Sequence, residues 1–456
     1  MIRAGWSWRP ATERRVLANG AVARTSVVDE RTFRIGLLAI TAIGAVWRLG
    51  YLVAVKLDDD LMLNDALYYS MQAGRNGEGD WFREGLTTLP GAEHGPLTSL
   101  YLTPWSLLPG NLVSWQRVGM MLPGIATVAV IGLVGRRLAG PVVGLVAAGI
   151  AAAYPNLWIN DSLVMSESLA CLLVSAALLL ALRFDERPSL GLAAAVGAIT
   201  ALAALARSEI ALFVVGFAVL AWWRAAGHAR RALMPVNVVA AAVVIAAPWA
   251  LYNLGRFERP VLLTTNDGTT LLGANCDATY FDDVGSWDVN CVLALPTEGA
   301  ADASAASAAR RDAALDYAGD HLDRAPVVVA ARVGRLLDVY GVGSLVALDV
   351  GEEKAEWAVW AGIVCWWALA VAAGFGWRSL RRPGDGSAER GRARWWLAVP
   401  GVCVLVTAVV FYGAHRIRAP AEPTVVVLAA VGIVALARRR RESAGSPLER
   451  LEAVRQ

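Results

Sequence analysis

The chain has 456 residues, 56% of them hydrophobic and only 18% charged, with a net charge of +3 and a mean hydropathy of +0.48. Soluble domains carry about 25% charged residues, so the composition excludes an ordinary soluble protein, and so small a net charge does not imply nucleic acid as a partner. Open sheets cannot cross lipid, because their edges leave backbone groups unpaired; the predicted class is an all-α polytopic membrane protein.

Residues 1–34 carry Arg3, Arg9, Arg14, Arg15, Arg24, Arg31 and Arg34 and no apolar core before Ile35, which is a basic cytoplasmic tail rather than a cleavable signal. Apolar runs follow at 35–55, 118–134, 142–159, 163–182, 189–206, 210–223, 232–252, 357–377, 395–414 and 421–437. Most have about the length needed to span a bilayer, so about ten transmembrane helices are expected. The connections alternate between Arg-rich and Arg-poor, with "GRRLAG", "RFDERP", "RAAGHARR", "RSLRRPGDGSAERGRAR" and "ARRRRES" on the side of the N-terminal tail. By the positive-inside rule both termini are cytoplasmic. Spans 1–7 occupy 35–252 and enclose a first outer loop at 56–117; an extracytoplasmic segment covers 253–356; spans 8–10 cover 357–437; a cytoplasmic tail follows at 438–456. The "RSE" turn at 207–209 is tight and run 210–223 is short, which predicts a helical hairpin or a broken helix.

Cys171, Cys365 and Cys403 lie in apolar runs, as small hydrophobes. Cys276 and Cys291 lie in the second outer segment, where disulfides persist, and are expected to pair. No CxxC or HExxH pattern points to zinc.

The chemistry gathers at the predicted outer boundary. In "LDDDLMLNDALYYSMQAG", Asp58, Asp59 and Asp60 mark the interface, whereas Asp65 opens a short amphipathic helix carrying Tyr68 and Tyr69. A carboxylate facing a pocket there can take a proton from an acceptor hydroxyl. "EHGPLTSLYLTPW" adds Glu93 and His94 before a Gly-Pro turn. In "YPNLWINDSLVMSESLACLL", Asp161 fits a helix cap and Glu167 falls at the start of a span, where an ionisable group faces the bundle interior. Arg48, Arg207 and Glu209 also lie in or between spans; snorkelling to the interface is the alternative for the two arginines. "FYGAHRIRAPAEP" places His415, Arg416 and Arg418 against the topological bias, which calls for an anionic ligand such as phosphate.

Together "NDALYYSMQA" with "GDWF", "EHGPLTSLYL", "YPNLWINDSLVMSESL", "ALARSEIAL", "APWALYNLGRF", "NDGTTLLGAN" and "YGAHRIRAPAEP" resemble the GT-C glycosyltransferases, in particular the family-39-like branch of protein mannosyltransferases and lipid A aminoarabinose transferases. The resemblance covers roughly 45–345 and 411–424. It implies a GT-C fold with interfacial helices in the first outer loop, and inverting transfer of a hexosyl or pentosyl group from a polyprenyl-phosphate-linked sugar to a glycan, lipid or protein acceptor. Asp65 matches the catalytic base or acceptor-positioning group, and Glu167 the acid of the fourth span. Arg48, Arg207, His415, Arg416 and Arg418 are implied at the donor phosphate, and Tyr68, Tyr69, Glu93 and His94 at the acceptor. A divalent cation is left open. Departures are "NDALYY" for a tighter acid–x–Tyr arrangement, "HGPL" for a two-proline turn, and the long cysteine-bearing second segment. The competing reading is a transporter or lipid flippase with Arg48 and Glu167 lining its path, although the halves show no repeat. Arg, Ala and Gly richness points to a GC-rich bacterial genome and hence a plasma membrane. Neither the sugar nor the acceptor is legible.

Overall fold

The computed structural model describes residues 28–62, 65–85, 87–297, 299–381 and 387–443. Most of the predicted N-terminal tail and the end of the C-terminal tail lie outside them. The helices are α1 (Glu30–Tyr51), α2 (Asp65–Gly77), α3 (Pro96–Ser106), α4 (Leu112–Ala139), α5 (Pro141–Ala153), α6 (Pro155–Trp158), α7 (Glu167–Glu186), α8 (Leu190–Ala206), α9 (Ala211–Arg224) and α10 (Leu233–Leu254). After these come α11 (Asp267–Ala274), α12 (Val289–Leu293), α13 (Ala303–Asp320), α14 (Ala325–Leu336), α15 (Val342–Gly351), α16 (Glu356–Ser379), α17 (Ser387–Val410), α18 (His415–Arg418) and α19 (Glu422–Ser443). No strand occurs among the described residues.

Each of the ten apolar runs is helical, and seven of the resulting helices are long and apolar enough to cross a membrane. The run at 142–159 is a broken pair, bent by 61° where α5 gives way to α6 and the short turn behind it. Tyr154 is extended there and Pro155 begins the new helix, because proline cannot continue the old one. The chain is therefore a multi-pass membrane protein, with seven or eight such spans among the described residues, fewer than the ten expected. The difference lies in the broken pair and in α8 and α9, only 17 and 14 residues long. An extended Arg207 and a single 3-10 turn part α8 from α9, and the two pack together. The first helix also begins earlier than residue 35, since Asp29 caps it by accepting from the Thr32 amide at 2.7 Å.

Small residues set the helix spacing. A Cβ on Gly197 of α8 would stand 1.9 Å from the Val238 carbonyl oxygen of α10, and one on Gly376 of α16 would stand 1.9 Å from that of Leu428 in α19. Backbones touch at these points, as membrane helices do when dispersion and not hydrophobicity holds them.

Arg48 is buried inside this bundle, away from the loops. Its Nε donates to Asp161 Oδ2 at 2.6 Å, and its Nη atoms donate to the carbonyls of Gly44, Ala151 and Ala152. Ser168 donates to Asp161 Oδ1 at 2.6 Å. The structure thus corrects one reading, since Asp161 is a buried counter-ion instead of a cap, and it commits Arg48 largely to that acid and to backbone carbonyls. Removing one partner of a buried pair leaves an uncompensated charge and costs about 3–5 kcal/mol. Arg48→Met should lower the melting temperature in detergent sharply, and adding Asp161→Leu should recover most of the loss. An unchanged melting temperature in the single variant would show that the pair is not structural.

Candidate active site

The two long connections fold onto each other. Arg256 donates to the carbonyls of Phe82 and Gly91 at 2.7 and 2.8 Å, and the Thr265 amide donates to the Ala92 carbonyl at 2.7 Å. Arg117, fully buried, donates to Glu353 at 3.1 Å and to the Asp59 carbonyl at 2.6 Å. Cys276 and Cys291 are joined within the second connection.

Asp65 sits in the first turn of α2, where the helix dipole favours a carboxylate. Gln72 ties α2 to α3 by accepting from Ser99 at 2.7 Å, and it donates to Tyr68 at 2.8 Å. A Cβ on Gly95, just before α3, would meet the Leu205 carbonyl oxygen at 2.2 Å. That close approach wedges Glu93 and His94 against the end of α8. His94 Nε2 lies 3.3 Å from Asp65 Oδ1.

From the other end of the chain, the short helix α18 brings Arg416 to the same point. Its guanidinium bonds Asp65 directly, donates to Glu352 at 2.7 Å and stands 3.8 Å from Glu167. Glu167 is bonded by Arg207, whose Nε also donates to Glu209 at 2.6 Å. Lys354 lies 2.8 Å from Asp349 and 3.3 Å from Glu352. Asp65, Glu167, Arg207 and Arg416 thus form one connected cluster with Glu352 and Lys354.

His415 and Arg418 do not face Asp65. His415 is clamped between Asp349 at 2.6 Å and Asp338 at 2.7 Å. Arg418 pairs with Asp338 at 3.0 Å and Glu422 at 2.7 Å and lies 3.9 Å above the Trp366 ring. Of the three cations expected together, Arg416 alone reaches the acid. The helical period explains this, since positions 415, 416 and 418 of a single turn point in different directions.

Burial disfavours the Asp65 carboxylate, but Arg416 and His94 outweigh it and hold the carboxyl well below the usual range. Burial likewise opposes the His94 imidazolium, and Asp65 outweighs it, raising the ring. Burial, reinforced by neighbouring Glu93, pushes Glu84 up to about 7. Glu93 is raised by burial and by Asp65, against the pull of His94.

Two hollows meet at this cluster. A chamber of about 640 Å³ is lined by Asp65, Tyr68, Glu84 and Glu93 on one side and by Thr297 and Asp302 of the second connection on the other. Tyr69 and His94 stand behind Asp65, their rings 4.9 Å apart. On the far side of Arg416 lies a narrow cleft of about 10 Å³, room for one water, whose lining includes Asn156, Asn160, Lys354 and His415. Ile159 and Val359 in its wall belong to an apolar cluster with Tyr51 and Trp158. Trp47 and Trp357, both exposed, flank that cluster with ring centroids 5.5 and 5.8 Å from Trp158.

Glu84, Glu352 and Lys354 escaped the sequence reading. Lys354 had a signal: it and Lys56 are the chain's two lysines among many arginines. Glu353, beside it, holds φ at 67°, a backbone that costs a non-glycine residue about 1–3 kcal/mol. Among the described residues, no three His, Cys, Asp or Glu side chains are grouped to hold a metal ion. The acids that converge here close on the Arg416 guanidinium. They do not fit a divalent cation.

No family model matches the sequence, and no curated protein matches it. Solved structures share its fold. The archaeal oligosaccharyltransferase AglB from Archaeoglobus fulgidus, in complex with an inhibitory peptide and a dolichol-phosphate, superposes over 91% of this chain with a TM-score of 0.55 and 15% identity. The same enzyme in its apo form superposes over 90% with a TM-score of 0.55 and 12% identity. The chain spans about half of those proteins, 52% and 51% of their lengths. ArnT from Cupriavidus metallidurans bound to undecaprenyl phosphate covers 90% of this chain and 79% of its own at 16% identity, with a TM-score of 0.42 too low to carry weight. The chain thus shares the fold of the AglB membrane structures.

Proposed function

We propose that this membrane protein is a glycosyltransferase that moves a sugar from a polyprenyl phosphate to an acceptor at its extracytoplasmic face. The observation that carries the proposal is the Asp65–Arg416 contact between the chamber and the cleft. The chamber receives the acceptor, the side of Arg416 that carries Lys354 takes the lipid phosphate once the small void there widens, and the reacting atoms meet at the ion pair. The AglB structure contains a dolichol-phosphate, the kind of lipid phosphate that such a donor would leave behind.

In the reaction, an acceptor hydroxyl oxygen attacks the anomeric carbon from the chamber side. The bond from that carbon to the phosphate oxygen breaks, and the polyprenyl phosphate leaves with the electron pair. Attack opposite the leaving group inverts the anomeric centre. Asp65 accepts the hydroxyl's hydrogen bond and orients it. Its lowered pKa makes it a weak base, which suits a proton that departs late, once the C–O bond is largely formed. Arg416 and Lys354 stabilise the phosphate dianion as charge develops, being already fixed by Glu352 and Asp349. The aromatic wall of Trp47, Trp158 and Trp357 leads the isoprenoid chain from the bilayer. Glu167 and Arg207 hold Arg416 in register.

The test is incubation of the purified protein with a panel of undecaprenyl-phosphate sugars, reading release of undecaprenyl phosphate. The proposal expects acceptor-dependent release from at least one donor. No release from any donor, with donors bound, would count against it.

A further inference from the structure

The chamber has an electrostatic character that the reaction does not explain. Asp65 is neutralised by Arg416 and His94. Asp302 caps α13, accepting from the Ser304 and Ala305 amides at 2.9 and 3.0 Å. Glu84 and Glu93 differ. Both are half-buried, both line the chamber, and neither has a hydrogen-bond or ion-pair partner among the described residues.

The nearest cations are engaged elsewhere. Arg256 is turned to the carbonyls of Phe82 and Gly91 and to Asn253. Arg310 donates to the hydroxyls of Thr269 and Thr297, each at 3.1 Å. Partly buried carboxylates normally come with partners; here burial and repulsion from neighbouring carboxylates raise both groups, so that part of their charge is given up near neutral pH and a cation between them would restore it. Nothing in the fold requires this, since neither supports a helix end or a loop contact. An incoming positive charge would remove both penalties.

We propose that the chamber selects an acceptor bearing a primary ammonium group, held between Glu84 and Glu93 while its hydroxyl meets Asp65. This rests on the reading of the chamber as the acceptor's site. Leu67, Met71 and Leu89, also in the lining, give the carbon skeleton an apolar wall. An acceptor carrying phosphate or carboxylate beside its hydroxyl is rejected by the same two groups.

The test uses the full-length protein in detergent and ligands of one shape but different charge. Glucosamine, N-acetylglucosamine and glucuronate form one series, and lysinamide with norleucinamide another, with binding read by saturation-transfer NMR competition. At least one ammonium ligand should bind about tenfold more tightly than its neutral counterpart, as a partly screened ion pair gives. Glucuronate should be the weakest of the sugars. Preference in the first series assigns the ammonium to an amino sugar, and preference in the second to a peptide. In Glu84→Gln/Glu93→Gln the preference should vanish while the melting temperature holds or rises. Equal binding across charge in both series, or a preference that survives the double substitution, overturns the inference. Sugar transfer is assayed separately. Transfer without charge preference removes this inference alone, and preference without transfer removes the enzymatic reading and leaves a cation-binding chamber.

Discussion

Asp65→Asn should lower sugar transfer by about 10²–10⁴-fold, the range over which a positioned acid–base group contributes. The substitution is nearly isosteric, so the chamber keeps its shape. Arg416 keeps Glu352 at 2.7 Å and Glu167 at 3.8 Å, so it is not stranded, and His94, no longer raised by Asp65, can give up its proton. The melting temperature and undecaprenyl phosphate binding should therefore change little, and the loss should fall in turnover. The amide can still occupy the site, but one face now presents N–H where the acceptor hydroxyl needs an oxygen, and its remaining oxygen is uncharged. Transfer at the unsubstituted rate would remove Asp65 from the mechanism.

Arg416→Gln has the second large expected effect, on both stability and donor use. Asp65 loses its main counter-ion, while Glu167 keeps Arg207 and Glu352 keeps Lys354. An uncompensated, partly buried carboxylate costs at most about 3–5 kcal/mol, and here less, because His94 remains at 3.3 Å. Transfer should fall about 10²–10³-fold, as when one preorganised donor is removed from a developing charge. Undecaprenyl phosphate binding should weaken as well. Adding Asp65→Asn should restore the melting temperature but not the transfer, because the stability loss belongs to the stranded charge and the activity loss to the missing cation. Arg418→Gln gives the contrast. It takes the ion-pair partner from Glu422 and leaves Asp338 with His415 alone, so it should destabilise strongly while surviving protein binds the donor normally. If Arg416→Gln spared donor binding and Arg418→Gln destroyed it, the phosphate would lie on the other side of α18.

Much of this was readable from the residues. The apolar runs located the spans, because lipid demands long unbroken stretches, and the GT-C resemblance singled out Asp65, Glu167 and Arg416, which the fold brings together. What escaped was pairing. Arg416 meets Asp65 across 351 residues and Glu352 across 64, distances over which periodicity is silent. Arg48 and Arg418 looked like ligand-binding cations because charge in a span is expensive, yet each is satisfied by an acid and carbonyls on neighbouring helices. The side-chain identity reveals the expense but not which partner meets it. His415 lines the cleft, yet its partners Asp338 and Asp349 lie in a stretch with no evident motif. The short α8 and α9 were legible as a turn, "RSE", but their lengths were not.

The most direct measurement is a cryo-EM map of the protein with undecaprenyl phosphate. The account predicts phosphate density in the cleft within hydrogen-bond reach of Arg416 and Lys354, with the isoprenoid chain along Trp158 and Trp357 and the chamber beyond Asp65 left open. Density for the phosphate beside Arg378 and Arg381, or inside the chamber between Glu84 and Glu93, would contradict it.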